Sequence, residues 1–255
     1  MASDHVTINR DQWNRVAAHW VADGERLWAG GPQWGIWRVP DSELNLLPGD
    51  MTGMDAVELG CGTGYVAGWM ARRGARVLAV DVSAEQLKTA RSLAATHGAE
   101  IEFREGNAEA VDAPDESFDF AISEYGAAIW CDPDLWVKEA ARLLRPGGRL
   151  VFLGNHPLSI LCTPYSGAAT DFTLHRPYHE LSRLDWTEVE INPDGVSFNR
   201  TFEAWLRLFR ETGFTVADYR EIGAPASAGG DDPYVDVEWA KRYPNEQVWV
   251  LDKTG

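Results

Sequence analysis

Eight residues, Glu58-Leu59-Gly60-Cys61-Gly62-Thr63-Gly64-Tyr65, constrain this chain more than any other segment. They follow a short apolar run, Ala56-Val57-Glu58-Leu59, and lead into a helical pattern from Val66 to Arg73. A strand that turns into a helix through three closely spaced glycines lets a ligand approach the backbone. The dinucleotide fingerprint G-x-G-x-x-G needs glycine at position 65, where tyrosine stands, and no P-loop Lys-Ser/Thr follows. Asp81 lies 17 residues after Gly64, at the end of the apolar run Arg76-Val77-Leu78-Ala79-Val80. A carboxylate in that place accepts hydrogen bonds from a ribose diol. A loop without a phosphate signature, beside a ribose acceptor, fits a nucleoside ligand that carries no phosphate.

The pattern around the loop alternates. Further strands are expected at 101–104, 118–122 and 149–153, and helices at 84–97, with Ser83 as N-cap, and at 133–144. A helix at 202–209 and strands at 214–220 and 247–251 close the chain. This predicts an α/β fold: a Rossmann-like, open, mostly parallel seven-stranded sheet with helices on both faces. An N-terminal helical cap and an insertion after the fifth strand complete it. A helix over 11–26 carries Trp13, Val16, Ala17 and Trp20 on one stripe. The insertion, residues 155–200, holds three of the six histidines and predicts a hairpin over 186–198 turning at Asn192-Pro193-Asp194-Gly195. The expected organisation is one domain over 1–255: cap 1–50, cofactor core 51–154, substrate cap 155–200, and a C-terminal helix and strands over 201–255. The insertion follows a strand's carboxyl end, the side on which open α/β sheets bind ligands.

Charge excludes some partners. Lys and Arg number 23 against 39 Asp and Glu, a formal charge of −16, and no basic run interrupts it. Such a surface repels phosphate backbones, so neither nucleic acid nor anionic membrane is an expected partner. Cys61, Cys131 and Cys162 are odd in number and widely spaced, which fits neither a disulfide framework nor a zinc site. No signal-peptide core opens the chain and no apolar stretch approaches membrane-spanning length, so a cytoplasmic location is expected. The oligomeric state is not legible.

Four segments in order resemble the class I S-adenosylmethionine-dependent methyltransferases of the small-molecule type. They are Glu58–Gly64, Val80–Ser83, Glu105–Glu109 with Asp115–Asp119, and Leu143–Leu150. The resemblance is close over about residues 50–155. It departs at Asn107, where many relatives carry Asp; an amide oxygen still accepts a hydrogen bond but removes a charge. The resemblance implies S-adenosyl-L-methionine as cofactor and a small organic acceptor, with no metal. It implies that Gly60, Cys61, Gly62 and Gly64 pack against the methionine portion and that Glu58 helps hold its ammonium. Asp81 binds the ribose hydroxyls, Val82 and Gln86 border the adenine, and Asn107, Ala108 and Glu109 hold its edge. Ser123 offers backbone atoms, and Trp13 and Trp37 line the cleft. Candidate proton acceptors are Glu124 and Tyr125 after the fourth strand and His156 after the fifth, with Tyr165, His175 and His179 further on. A protein that binds the cofactor without catalysis, or uses it for another reaction, keeps the same loop and stays open at this point.

Overall fold

The computed structural model describes residues 4–230 and 232–254. Its centre is a seven-stranded sheet. In chain order the strands are β1 (Asp55–Leu59), β2 (Arg76–Asp81), β3 (Glu102–Glu105), β4 (Phe118–Glu124), β5 (Leu144–Asn155), β6 (Phe214–Ile222) and β7 (Glu246–Lys253). Their spatial order is β3-β2-β1-β4-β5-β7-β6, and β7 alone runs antiparallel to its neighbours. The strands alternate between two cores, as the two-residue period of a strand demands. Val57, Leu59, Ala121 and Phe152 join Trp136, Trp205 and Phe209 on one face. Ala56, Phe120, Ile122, Val151 and Leu153 join Trp34 and Trp69 on the other.

Chain order reverses between β1 and β4, which creates the crevice where such sheets take ligands. Register aligns the parts: Leu59 pairs with Val80 in β2, and Glu58 with Ile122 in β4. The glycine loop, Asp81 and the end of β4 therefore meet at one edge of the sheet.

The cap differs from expectation. Helix α1 spans Asp4–Val16, a 3-10 turn covers Ala17–Trp20, and α2 spans Val21–Ala29. The earlier start was hidden because α1 buries His5, Asn9 and Gln12, a polar stripe that imitates a solvated face. The predicted hairpin exists in shifted form: Arg183–Asp185 pairs with Val196–Phe198, and residues 186–195 form a long loop between them. Asn192 does turn the chain, at φ 50°, but its amide is drawn to the carbonyls of Gly167 and Pro233 and makes no tight turn. The fifth strand begins at Leu144 and runs to Asn155, longer than 149–153 at both ends.

Candidate cofactor and acceptor site

The glycine loop is tied to β2 at both levels of the backbone. Gly60 N and Cys61 N donate to Val80 O at 2.8 and 3.0 Å. Gly60, Gly62 and Gly64 all hold positive φ, at 79°, 52° and 75°. A Cβ on Gly60 would lie 2.7 Å from Ala127 N and from Gly126 Cα, so the loop and the chain after β4 touch backbone to backbone. Asp81 Oδ2 accepts Gly62 N at 2.7 Å and Oδ1 accepts Ser83 N at 2.8 Å. Burial pushes the Asp81 carboxyl up, and these N–H groups pull it back toward ionisation. Ser83 Oγ accepts Gln86 N and so caps the helix that follows, α3 (Ala84–His97).

These residues open onto a cavity of about 500 Å³ roofed by α1 and closed on its far side by the insertion. The volume falls within the usual range of small-molecule sites. Of the sequence-predicted residues, Gly60, Cys61, Gly62, Asp81, Val82, Gln86, Asn107, Ala108, Trp13, Glu124 and Tyr125 line it. Trp13 sits edge-on to Trp130, 5.1 Å between ring centres, and forms part of the roof.

Six predicted residues stand elsewhere. Glu58 lies beneath the loop, accepts Ala67 N at 2.8 Å, and is pushed far up by burial; it touches no cavity surface. Gly64 lies against Phe103, whose ring a Cβ would meet at 2.9 Å. Glu109 clasps two other segments, His5 Nε2 at 2.6 Å and Asp132 N at 2.7 Å. Ser123 Oγ donates to Leu59 O at 2.7 Å and accepts Ala128 N, which braces the loop from behind. Trp37 Nε1 donates to Asn245 at 2.7 Å, outside the cavity. His156 also turns away. Its backbone N donates to Asn245 O, its Nδ1 caps the short helix Pro157–Cys162, and its Nε2 faces Glu221 at 3.2 Å. Burial pushes its pKa down, against the opposing charge of Glu221. The strand runs two residues past the expected Leu153, which carries His156 to the β6 side. Tyr165, His175 and His179 likewise line no part of the cavity. Asn107 does line it, but its Oδ1 already accepts Glu109 N at 3.0 Å in a local turn.

Sequence reading places this end over the cleft through Trp37, but residues 35–38 form a strap that presents Gly35, Ile36 and Arg38 to the cavity instead. Gly35 N donates to Glu124 Oε1 at 3.1 Å and Ile36 N to Glu246 Oε1 at 2.9 Å. Tyr125 Oη donates to the same Glu246 oxygen at 2.7 Å, and Tyr65 Oη to Glu124 Oε2. Gly35 is obligatory here, because a Cβ would lie 2.0 Å from Glu246 Oε1. The strap delivers Arg38, at φ 54°, to the cavity wall, where it is the single basic lining residue among those described. Glu124 and Tyr125 are legible in the sequence as polar groups after the fourth strand, and Tyr65 as the residue that breaks the dinucleotide fingerprint; Arg38 and Glu246 are not.

Glu246 is buried, and burial pushes its carboxyl up to about 8, with Tyr125 and Ile36 opposing. Its proton is bound more tightly in the folded chain than in the unfolded one. The stability this contributes is complete below its ordinary pKa of 4.5 and is lost as pH rises through about 8. Glu246→Gln removes the dependence, so relative to the parent the variant gains stability from about pH 5 to about pH 8. Thermal melts of both proteins across that window check this, and parallel curves would contradict it.

The residues present fit a nucleoside cofactor. Gln86 Oε1 is buried in the cavity wall without a hydrogen-bond partner, an acceptor available to a ligand N–H. Asp81 projects from the switch point, and Gly60 leaves the backbone bare where a side chain would collide. Fold and site together define a Rossmann-like nucleoside-binding protein.

Comparison with known proteins narrows this. Residues 57–152 match the methyltransferase domain family. A ubiquinone biosynthesis O-methyltransferase of Sinorhizobium medicae is 34% identical over 169 residues, covering 61% of this chain and 68% of that protein. Its counterpart in Sinorhizobium fredii is 35% identical over 108 residues, and there the chain spans only 43% of the relative's length. The crystal structure of an S-adenosylmethionine-dependent methyltransferase from Mesorhizobium loti superposes with a TM-score of 0.65 at 23% identity, over 83% of this chain and 96% of that one. The chain belongs to the class I S-adenosylmethionine-dependent methyltransferases, whose cofactor is S-adenosyl-L-methionine.

Proposed function

We propose that this protein transfers a methyl group from S-adenosylmethionine to a small organic acceptor. One observation carries the reading: a single cavity is lined both by the glycine loop with Asp81 and by residues of the insertion, which leaves room for an acceptor beside the cofactor. Within it, Asp81 accepts the ribose hydroxyls, Val82, Gln86, Asn107 and Ala108 border the adenine, and Gly60 to Gly62 face the methionine portion. Arg38, held by the strap, pairs with the cofactor's carboxylate. Glu58 and Ser123 brace the loop from beneath. When bound, the cofactor supplies a methyl group already activated on a sulfonium. The chain's own residues then need mainly to align the acceptor and exclude water, and positioning of this kind removes about 7–11 kcal/mol of barrier.

The relatives are named as O-methyltransferases, which favours an oxygen nucleophile. Glu124 and Tyr125 are the proton-handling groups on the wall after β4, and Tyr125 Oη shares its proton with Glu246. In this reading residues 1–50 roof the cofactor, 51–154 bind it, and 155–200 shape the acceptor chamber. The chain's charge of −16 argues against nucleic-acid and anionic-membrane partners, and a cytoplasmic location belongs to the same reading. No helix among the described residues is long and apolar enough to cross a membrane.

Isothermal titration tests the reading. S-adenosylhomocysteine should bind and NAD should not; silence with the first, or clear heat with the second, overturns it.

A further inference from the structure

The two ends of the cavity differ in charge and wall chemistry. At the cofactor end stands Arg38, 3.2 Å from Asp23 and close to Glu124 and Glu246. The far end is walled by Trp130, Trp186 and Tyr234 and carries two carboxylates, Asp194 and Asp232, with no lining cation among the described residues. Both carboxylates are held alike. Asp194 Oδ1 accepts Gln12 Nε2 at 3.1 Å and Gly195 N at 2.9 Å; Asp232 Oδ1 accepts Tyr234 N at 2.9 Å and Val235 N at 3.0 Å. In each case the bonds fall on one oxygen and leave the other for a further donor. Two cations stand near this end but outside the lining. Arg15 faces Asp194, and Arg176 stacks on Trp186 at 5.3 Å, its Nη1 donating to the carbonyls of Ile160 and Thr163.

We propose that the acceptor is an aromatic molecule bearing an amine and no acidic group. This rests on the methyltransferase reading and specifies the substrate class of its second chamber. The ring lies among the aromatic walls, and the ammonium pairs with Asp194 and Asp232. Aromatic faces also attract a cation directly. A carboxylate or phosphate placed there meets two like charges in a partly desolvated chamber, where neither Arg15 nor Arg176 is part of the lining. Burial that already pushes the Asp194 carboxyl up shows how little solvent is available to screen a further anion. The amine is the recognition element and need not be the atom that takes the methyl group.

The test uses two probes with the same catechol ring and opposite charge, dopamine and 3,4-dihydroxybenzoate. Each is titrated calorimetrically into protein saturated with S-adenosylhomocysteine near neutral pH. Dopamine should bind at least tenfold more tightly. Asp194→Asn and Asp232→Asn should each shrink that ratio severalfold while S-adenosylhomocysteine binding and the melting temperature hold. If Asp194→Asn fails to fold, Asp232→Asn and the shrinkage of the ratio at high salt decide. Equal or tighter binding of the benzoate, no binding of either ring compound, or a ratio untouched by the substitutions overturns the proposal. Failure of S-adenosylhomocysteine to bind at all is a different result, because it removes the methyltransferase reading on which the proposal stands.

Discussion

Asp81→Ala should lower the affinity for S-adenosylhomocysteine at least a hundredfold while the protein remains folded. The carboxylate has two roles. Its oxygens hold Gly62 N and Ser83 N, at 2.7 and 2.8 Å, and so fix the shape of the glycine loop. The same residue lines the cavity, where in the proposed reading ribose hydroxyls would donate to it. Hydrogen bonds to a charged group contribute about 1.5–3 kcal/mol each, and every 1.4 kcal/mol is about a factor of ten in affinity. Losing two therefore exceeds a hundredfold before any loosening of the loop is counted. Asp81→Asn keeps the size and one acceptor oxygen, so it should fall between parent and alanine variant. Calorimetric titration of the three proteins decides; an alanine variant that is folded and binds like the parent would falsify the assignment.

The second large effect belongs to a glycine of the cavity wall that has no side chain to offer a ligand. Gly126→Ala should both lower the melting temperature and abolish measurable cofactor binding. A Cβ on Gly126 would lie 2.2 Å from Gly60 O and 2.6 Å from Leu59 O. These are backbone atoms, pinned to β2 through Gly60 N and Val80 O, so no side chain can swing aside to relieve the clash. Overpacking usually costs about 1–3 kcal/mol, and a rigid backbone places this case at the upper end or beyond. The relief comes from pushing the glycine loop off its position. Thermal melting with a parallel titration reads both consequences; parent-like values in both would show that the two loops are not in contact.

The sequence was most informative where one local segment carried the whole signal. The strand, glycine turn and helix of residues 56–73 are contiguous, and Asp81 ends the next strand, so fold class and cofactor loop followed from short-range pattern alone. Legibility ended where a role depends on two distant segments meeting. Glu246 lies 121 residues from Tyr125 and 210 from Ile36. Nothing in Asn245-Glu246-Gln247 distinguishes a buried carboxylate from a solvated one. Asn9 falls outside the expected helix and Gln12 off its apolar stripe, because the partners that satisfy them, Val196 and Asp194, lie in the insertion. His156 was misplaced for a related reason. Its position after β5 was right, but the side it faces is set by its pairing with Asn245 beside β7, which no local period reveals.

The way α1 is fastened has a kinetic consequence. Beside the Trp13–Trp130 contact, its fastenings to the rest of the chain are largely polar: His5 to Glu109, Asn9 to the backbone of Val196 and Trp130, Gln12 to Asp194, and Asn14 to Ser83. Such bonds can be exchanged for water one at a time, whereas an apolar face resists release until it comes away whole. Val6, Asn9 and Trp13 of this helix line the cavity. If ligands pass only when the helix lifts, stopped-flow association of S-adenosylhomocysteine should saturate with concentration at the rate of that opening. Asn9→Ala, which removes three bonds to the far wall, should raise the plateau. The hydrogen bonds that give α1 its unpromising sequence would on that account let it work as a hinged door.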